Sequence, residues 1–88
     1  MSDTLAQLQK NLQTLTPSHL EVIDDEQHHI EHRHEGAGHF TVTIVSPQFS
    51  QQSLVQRHRM VFAAVGDLMP TSIHALSIHA YTPEEFSH

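Results

Sequence analysis

The stretch Ile73-His74-Ala75-Leu76-Ser77-Ile78-His79-Ala80-Tyr81-Thr82-Pro83-Glu84-Glu85-Phe86 decides the fold. Its apolar character alternates, with Leu76, Ile78 and Ala80 on one side, the period of two that a half-buried strand requires. His74 falls on that same side at the strand entrance, and His79 faces the other way, as a surface residue. Thr82-Pro83-Glu84-Glu85 then has the spacing of a capping box, with Thr82 as N-cap, Pro83 at the first helical position and Glu85 reaching back. A short final helix follows.

Upstream of this strand, Leu54, His58, Val61, Phe62, Val65, Leu68 and Met69 follow a helical face that Ser53 caps and Pro70 stops. Before that helix, His39-Phe40-Thr41-Val42-Thr43-Ile44-Val45-Ser46 reads as a strand with Phe40, Val42 and Ile44 on one face. A helical crossover between two strands makes them parallel neighbours if they are adjacent. His19-Leu20-Glu21-Val22-Ile23 is an earlier strand, expected to pair antiparallel with the second. Leu5, Leu8, Leu12 and Leu15 recur at steps of three and four, giving a first amphipathic helix that Thr16-Pro17 ends. Ser46-Pro47-Gln48-Phe49-Ser50 is turn chemistry with room for an extra helical turn. The expected fold is α+β, in the order α-β-β-α-β-α, with a three-stranded mixed sheet covered by helices in a single domain over residues 1–88.

Bulk properties narrow the function. At 88 residues, 38% apolar and without Trp or Cys, the chain builds a thin core and no deep substrate cavity. The absence of cysteine removes disulfides and thiolate metal sites and suits a reducing cytoplasm. The start, Met1-Ser2-Asp3-Thr4-Leu5, has no basic region followed by an apolar run, so neither a signal peptide nor a membrane span is expected. Four Lys and Arg against ten Asp and Glu give a formal charge of −6, which disfavours general binding to a phosphate backbone. Ten histidines would reverse that sign below about pH 6. No nucleophile with a base and an orienter is evident, so no enzyme is expected.

Two regions are chemically unusual. Residues 24–38 form a long stretch of Asp, Glu, His and Gly between the first two strands, with His28, His29, His32 and His34 among Glu26, Glu31 and Glu35. These side chains suit a solvated acidic loop, direct binding of Zn²⁺ or Ni²⁺, or a pH-sensitive element. Arg57 and Arg59 lie at the start of the long helix, where backbone N–H groups also favour an anion. They suit either a solvated helix start or a local contact to phosphate or to an acidic partner. His74 by itself suits a histidine at the core edge bonded to backbone.

His39-Phe40 opening a strand, the Phe49 turn, Arg57-His58-Arg59 on the helix, and His74-Ala75-Leu76 through Glu85-Phe86 together resemble the BolA family over nearly the whole chain. The likeness is weakest in the first helix and the acidic loop, and Phe86 stands where the family usually has Trp. The resemblance implies a fold like class II KH domains, although the Gly-x-x-Gly loop of KH domains is missing, which removes KH-style RNA clamping. It also implies two activities: partnership with a monothiol glutaredoxin around a shared [2Fe-2S] cluster, and transcription regulation through DNA. In the first, His74 is a cluster ligand and the loop supplies the second, at His29 or less favourably at His28, His32 or His34. Thiolates then come from the glutaredoxin and its bound glutathione, and none of the cluster is tightly held by the chain alone. Ligation by neutral imidazole would weaken as pH falls through about 6. In the second activity, the helix starting near Arg57 meets DNA.

Overall fold

Leucines spaced by three and four residues place one apolar stripe along α1 (Asp3–Leu12), and Leu8 and Leu12 are fully buried. The computed structural model describes residues 3–25, 38–71 and 73–87. A 3-10 turn, Gln13–Leu15, extends α1, and Thr16 closes it in the left-handed region at φ 48°. That costly conformation for a β-branched residue is held by the Gln48 side-chain amide, which donates to Thr16 Oγ1 at 2.9 Å.

The sheet follows the expected topology. β1 (His19–Asp24) pairs antiparallel with β2 (His39–Val45), from His19 opposite Val45 to Asp24 opposite Phe40. β3 (Ala75–Tyr81) lies parallel on the other side of β2, from Ala75 opposite His39 to Tyr81 opposite Val45. The order is β1-β2-β3. Phe40, Val42 and Ile44 are buried on the face that meets the helices, as the period of two requires. After β2, Ser46 caps a 3-10 turn, Pro47–Phe49, which drops Phe49 into the core at 0% exposure. Burial of a side chain that size stabilises by about 1.5–3 kcal/mol relative to exposure.

α2 (Leu54–Val65) begins at the Ser53–Gln56 capping box and ends at Gly66, whose φ of 63° only glycine adopts readily. The long helix therefore does not run on to Pro70. A separate short turn of helix, α3 (Leu68–Thr71), follows Gly66, and Ile73 enters the core before β3 begins at Ala75. The buried face of α2 also differs in phase from the expected one. Arg57, Val61 and Val65, four apart, face inward, whereas Leu54 and Phe62 are 65% and 42% exposed. Apolar residues occupy so much of this helix that periodicity alone leaves its rotation open by a flank. α4 (Pro83–Phe86) is the capped final helix, with Thr82 and Glu85 forming the expected box. No helix among the described residues is long and apolar enough to cross a membrane.

Candidate functional site

The face of β3 toward the helices opens progressively along the strand. Ala80 is buried, Ile78 and Leu76 are half-buried, and His74 is exposed in the bend just before the strand, where the alternation breaks because Ile73 enters the core. The main chain fixes that position. His74 N–H donates to Gly38 C=O at 2.9 Å and Ala75 N–H reaches the same oxygen at 3.3 Å. Gly38 takes φ 50°, which lets its carbonyl turn toward both amides. Nothing in the sequence pattern beyond a glycine directly before a strand points to this anchor.

Both ends of the acidic loop reach the sheet at this same end. Asp24 pairs with Phe40, in the row that continues to Leu76, and Thr41 Oγ1 donates to Asp25 Oδ2 at 2.8 Å. Gly38 returns the chain beside His74. Residue 38 thus lies against the His74 backbone, whereas residue 25 is held on β2 from the β1 side of the sheet at the same end. His28, His29, His32 and His34 lie outside the described residues. His39, at the start of β2 opposite Ala75, is exposed as well.

The donor chemistry at this end is nitrogen without sulfur. Among the described residues no three His, Asp or Glu side chains are grouped to hold a metal ion, and the chain has no cysteine. His74 provides one accessible nitrogen donor. The residues are compatible with a [2Fe-2S] cluster only if a loop imidazole adds a second nitrogen and thiolates come from another molecule.

Arg57 departs from its expected place at the surface. It is 7% exposed, and its guanidinium is engaged on several sides. Nε donates to Gln52 C=O at 2.9 Å, Nη1 to Ala80 C=O at 3.1 Å and Glu85 Oε1 at 2.8 Å, and Nη2 to Glu85 Oε2 at 3.1 Å. This bidentate pair with Glu85 raises the already high pKa of Arg57. The bonds from Arg57, together with the Thr82 backbone N–H, hold the Glu85 carboxyl at about 2, well below the usual range. An arginine so engaged has little left to offer an external phosphate. At the helix start the capping box already takes two of the open amides, Ser53 Oγ accepting from Gln56 N–H at 3.1 Å and Gln56 Oε1 from Ser53 N–H at 3.0 Å. Arg59 is exposed, so the two arginines are not brought together.

Comparison with known proteins follows the same lines. The family model for "BolA-like protein" matches residues 12–85. The "DNA-binding transcriptional regulator BolA" of Escherichia coli is 35% identical over 71 residues, covering 80% of this chain and 66% of that protein, just under two thirds of its length. Among solved structures, BolA1 from Arabidopsis thaliana superimposes with a TM-score of 0.79 at 35% identity, covering 93% of this chain and 94% of that one. The BolA domain of SufE1 from the same plant gives a TM-score of 0.77 at 40% identity, covering 91% and 92%.

Proposed function

The chain belongs to the BolA family, and from that premise we propose that it is a non-enzymatic cytoplasmic adaptor that binds a monothiol glutaredoxin and shares a [2Fe-2S] cluster with it. His74 supplies one nitrogen ligand and the loop a second, His29 ahead of His28, His32 and His34. The glutaredoxin and glutathione supply the thiolates, and the pair acts in iron–sulfur trafficking or iron regulation. The observation that carries this reading is the exposed imidazole of His74 at the sheet end where residues 25 and 38 anchor the histidine-rich loop. When bound, such a cluster gains a higher reduction potential from imidazole ligation than from thiolates alone. The chain's own part is to present neutral imidazoles, because only an unprotonated ring nitrogen can ligate.

The test is to titrate a cluster-loaded monothiol glutaredoxin with this protein and follow visible absorption and circular dichroism. New bands that saturate at a fixed ratio support the adaptor. Spectra equal to the sum of the separate components exclude it.

The name of the Escherichia coli relative favours a second reading, a DNA-binding transcriptional regulator. On this chain it rests on the α2 start with Arg59 as the accessible cation, since Arg57 is occupied by Glu85. DNA titrations at two salt concentrations decide it: Arg59→Ala lowers affinity and the salt slope if α2 meets phosphate, and leaves both unchanged if it does not.

A further inference from the structure

β3 is an edge strand, and its parallel pairing determines which main-chain groups lie open. Ala75 N–H is bonded to Gly38 C=O, and Ser46 N–H donates to Tyr81 C=O at 2.9 Å. Ala75, Ser77, His79 and Tyr81 therefore turn their peptide groups toward β2. Peptide direction alternates along a strand, so Leu76, Ile78 and Ala80 turn theirs to the edge. Arg57 takes Ala80 C=O. Among the described residues nothing takes the N–H and C=O groups of Leu76 or Ile78.

Exposed edges are normally blunted by charge, proline, a bulge or short length. The other edge, β1, carries Glu21 and Asp24. The seven residues of β3 include no Asp, Glu, Lys, Arg or Pro. The helix beside this edge also presents exposed apolar side chains. α1 packs over β1 and against α2, and α2 packs over β3. Met60 and Ala64, on one flank of α2, pack against the core beside α1. The opposite flank, which borders the β3 edge, carries Val55 at 59% and Phe62 at 42% exposure, with the exposed Arg59 between them. Neither α2 nor β3 contains an acidic residue, in a chain of formal charge −6.

We propose that a second copy of this chain occupies this side, its β3 adding antiparallel to β3 about a two-fold axis at Ser77. In that register Leu76 and Ile78 of one copy exchange N–H···O=C bonds with Ile78 and Leu76 of the other, and Ala80 C=O stays with Arg57. The open groups are thus self-complementary, as a two-fold interface requires. The joined sheet keeps the helices of both copies on one side and brings the α2 flanks, with Val55, Phe62 and Arg59, toward each other. It also brings together the acid-free sides of two chains that repel elsewhere.

The test uses the full chain in two measurements, light scattering after size exclusion and amide hydrogen exchange, from about 10 µM to about 1 mM, a span that covers weak association. The expected result is a mass rising from 10.0 kDa toward twice that value. The Leu76 and Ile78 amides should slow at least tenfold with concentration while Ser77 and His79 stay unchanged. Ser77→Lys, at an exposed side chain, sets two ammonium groups across the axis and should return a monomer with fast Leu76 and Ile78 exchange. Mixing it with Ser77→Glu should restore the dimer, which shows that both variants fold. A monomer at every concentration overturns the proposal, as does a dimer without Leu76 and Ile78 protection. Protection of those amides by a glutaredoxin or DNA but not by concentration assigns the edge to that partner instead.

Discussion

The two ends of β3 are built to opposite purposes. At Tyr81 and Thr82, Arg57 ties α2, the Ala80 carbonyl and Glu85 together, and Glu85 also caps α4. Phe86 then stacks on His19 at 4.9 Å and lies 5.7 Å from Tyr81, the two residues that flank the buried Val45. At the other end His74 is exposed, and its backbone N–H and that of Ala75 both donate to Gly38 C=O. One end carries stability and the other accessible chemistry. A thin core can leave an imidazole open at one end because the far end is locked by charge-assisted bonds.

The largest effect should come from the locked end. Phe49→Ala, which empties a fully buried site after β2, should cost about 3–5 kcal/mol in urea unfolding. A value below about 1 kcal/mol would mean the core lies elsewhere. Next, Arg57→Met should cost about 2–3 kcal/mol, because it leaves the Gln52 and Ala80 carbonyls and Glu85 without their donor. If Arg57→Met instead leaves stability intact and abolishes partner or DNA binding, the division between the two ends is broken.

Acid acts on the same latch with a defined sign. The folded carboxyl of Glu85 titrates at about 2, below the ordinary 4.5. Its contribution is therefore complete above the ordinary value and is lost as pH falls toward about 2. Melting temperature should decline across that window, and Glu85→Gln should be less stable near neutrality and flatter through the acid range. Smallest of all, His74→Ala should change stability by less than about 0.5 kcal/mol, since the side chain is exposed and only its backbone is bonded.

How much of this was legible in the sequence varies by region. Alternation in residues 39–46 and 73–80, the Ser53 and Thr82 caps and the crossover between them led to the mixed sheet, because each rests on local chemistry. The rotation of α2 was not legible, since Leu54, Val55, Val61, Phe62 and Val65 spread apolar side chains over a wide arc. Arg57 was misplaced at the surface because its partner Glu85 lies 28 residues away, and residue type alone sends arginine to solvent. Its spacing of four from Val61, and of eight from Val65, was the available clue. The alternation does not carry through to His74, because Ile73 turns into the core and leaves His74 exposed in the bend before β3. The candidate loop histidines His28, His29, His32 and His34 are outside the described residues.

The most direct test compares wild type and His74→Ala in the glutaredoxin titration followed by visible circular dichroism, with far-ultraviolet spectra and melting temperature measured on the same samples. The account predicts that His74→Ala keeps its fold and loses the new cluster bands. Unchanged bands from a fully folded His74→Ala protein would contradict it.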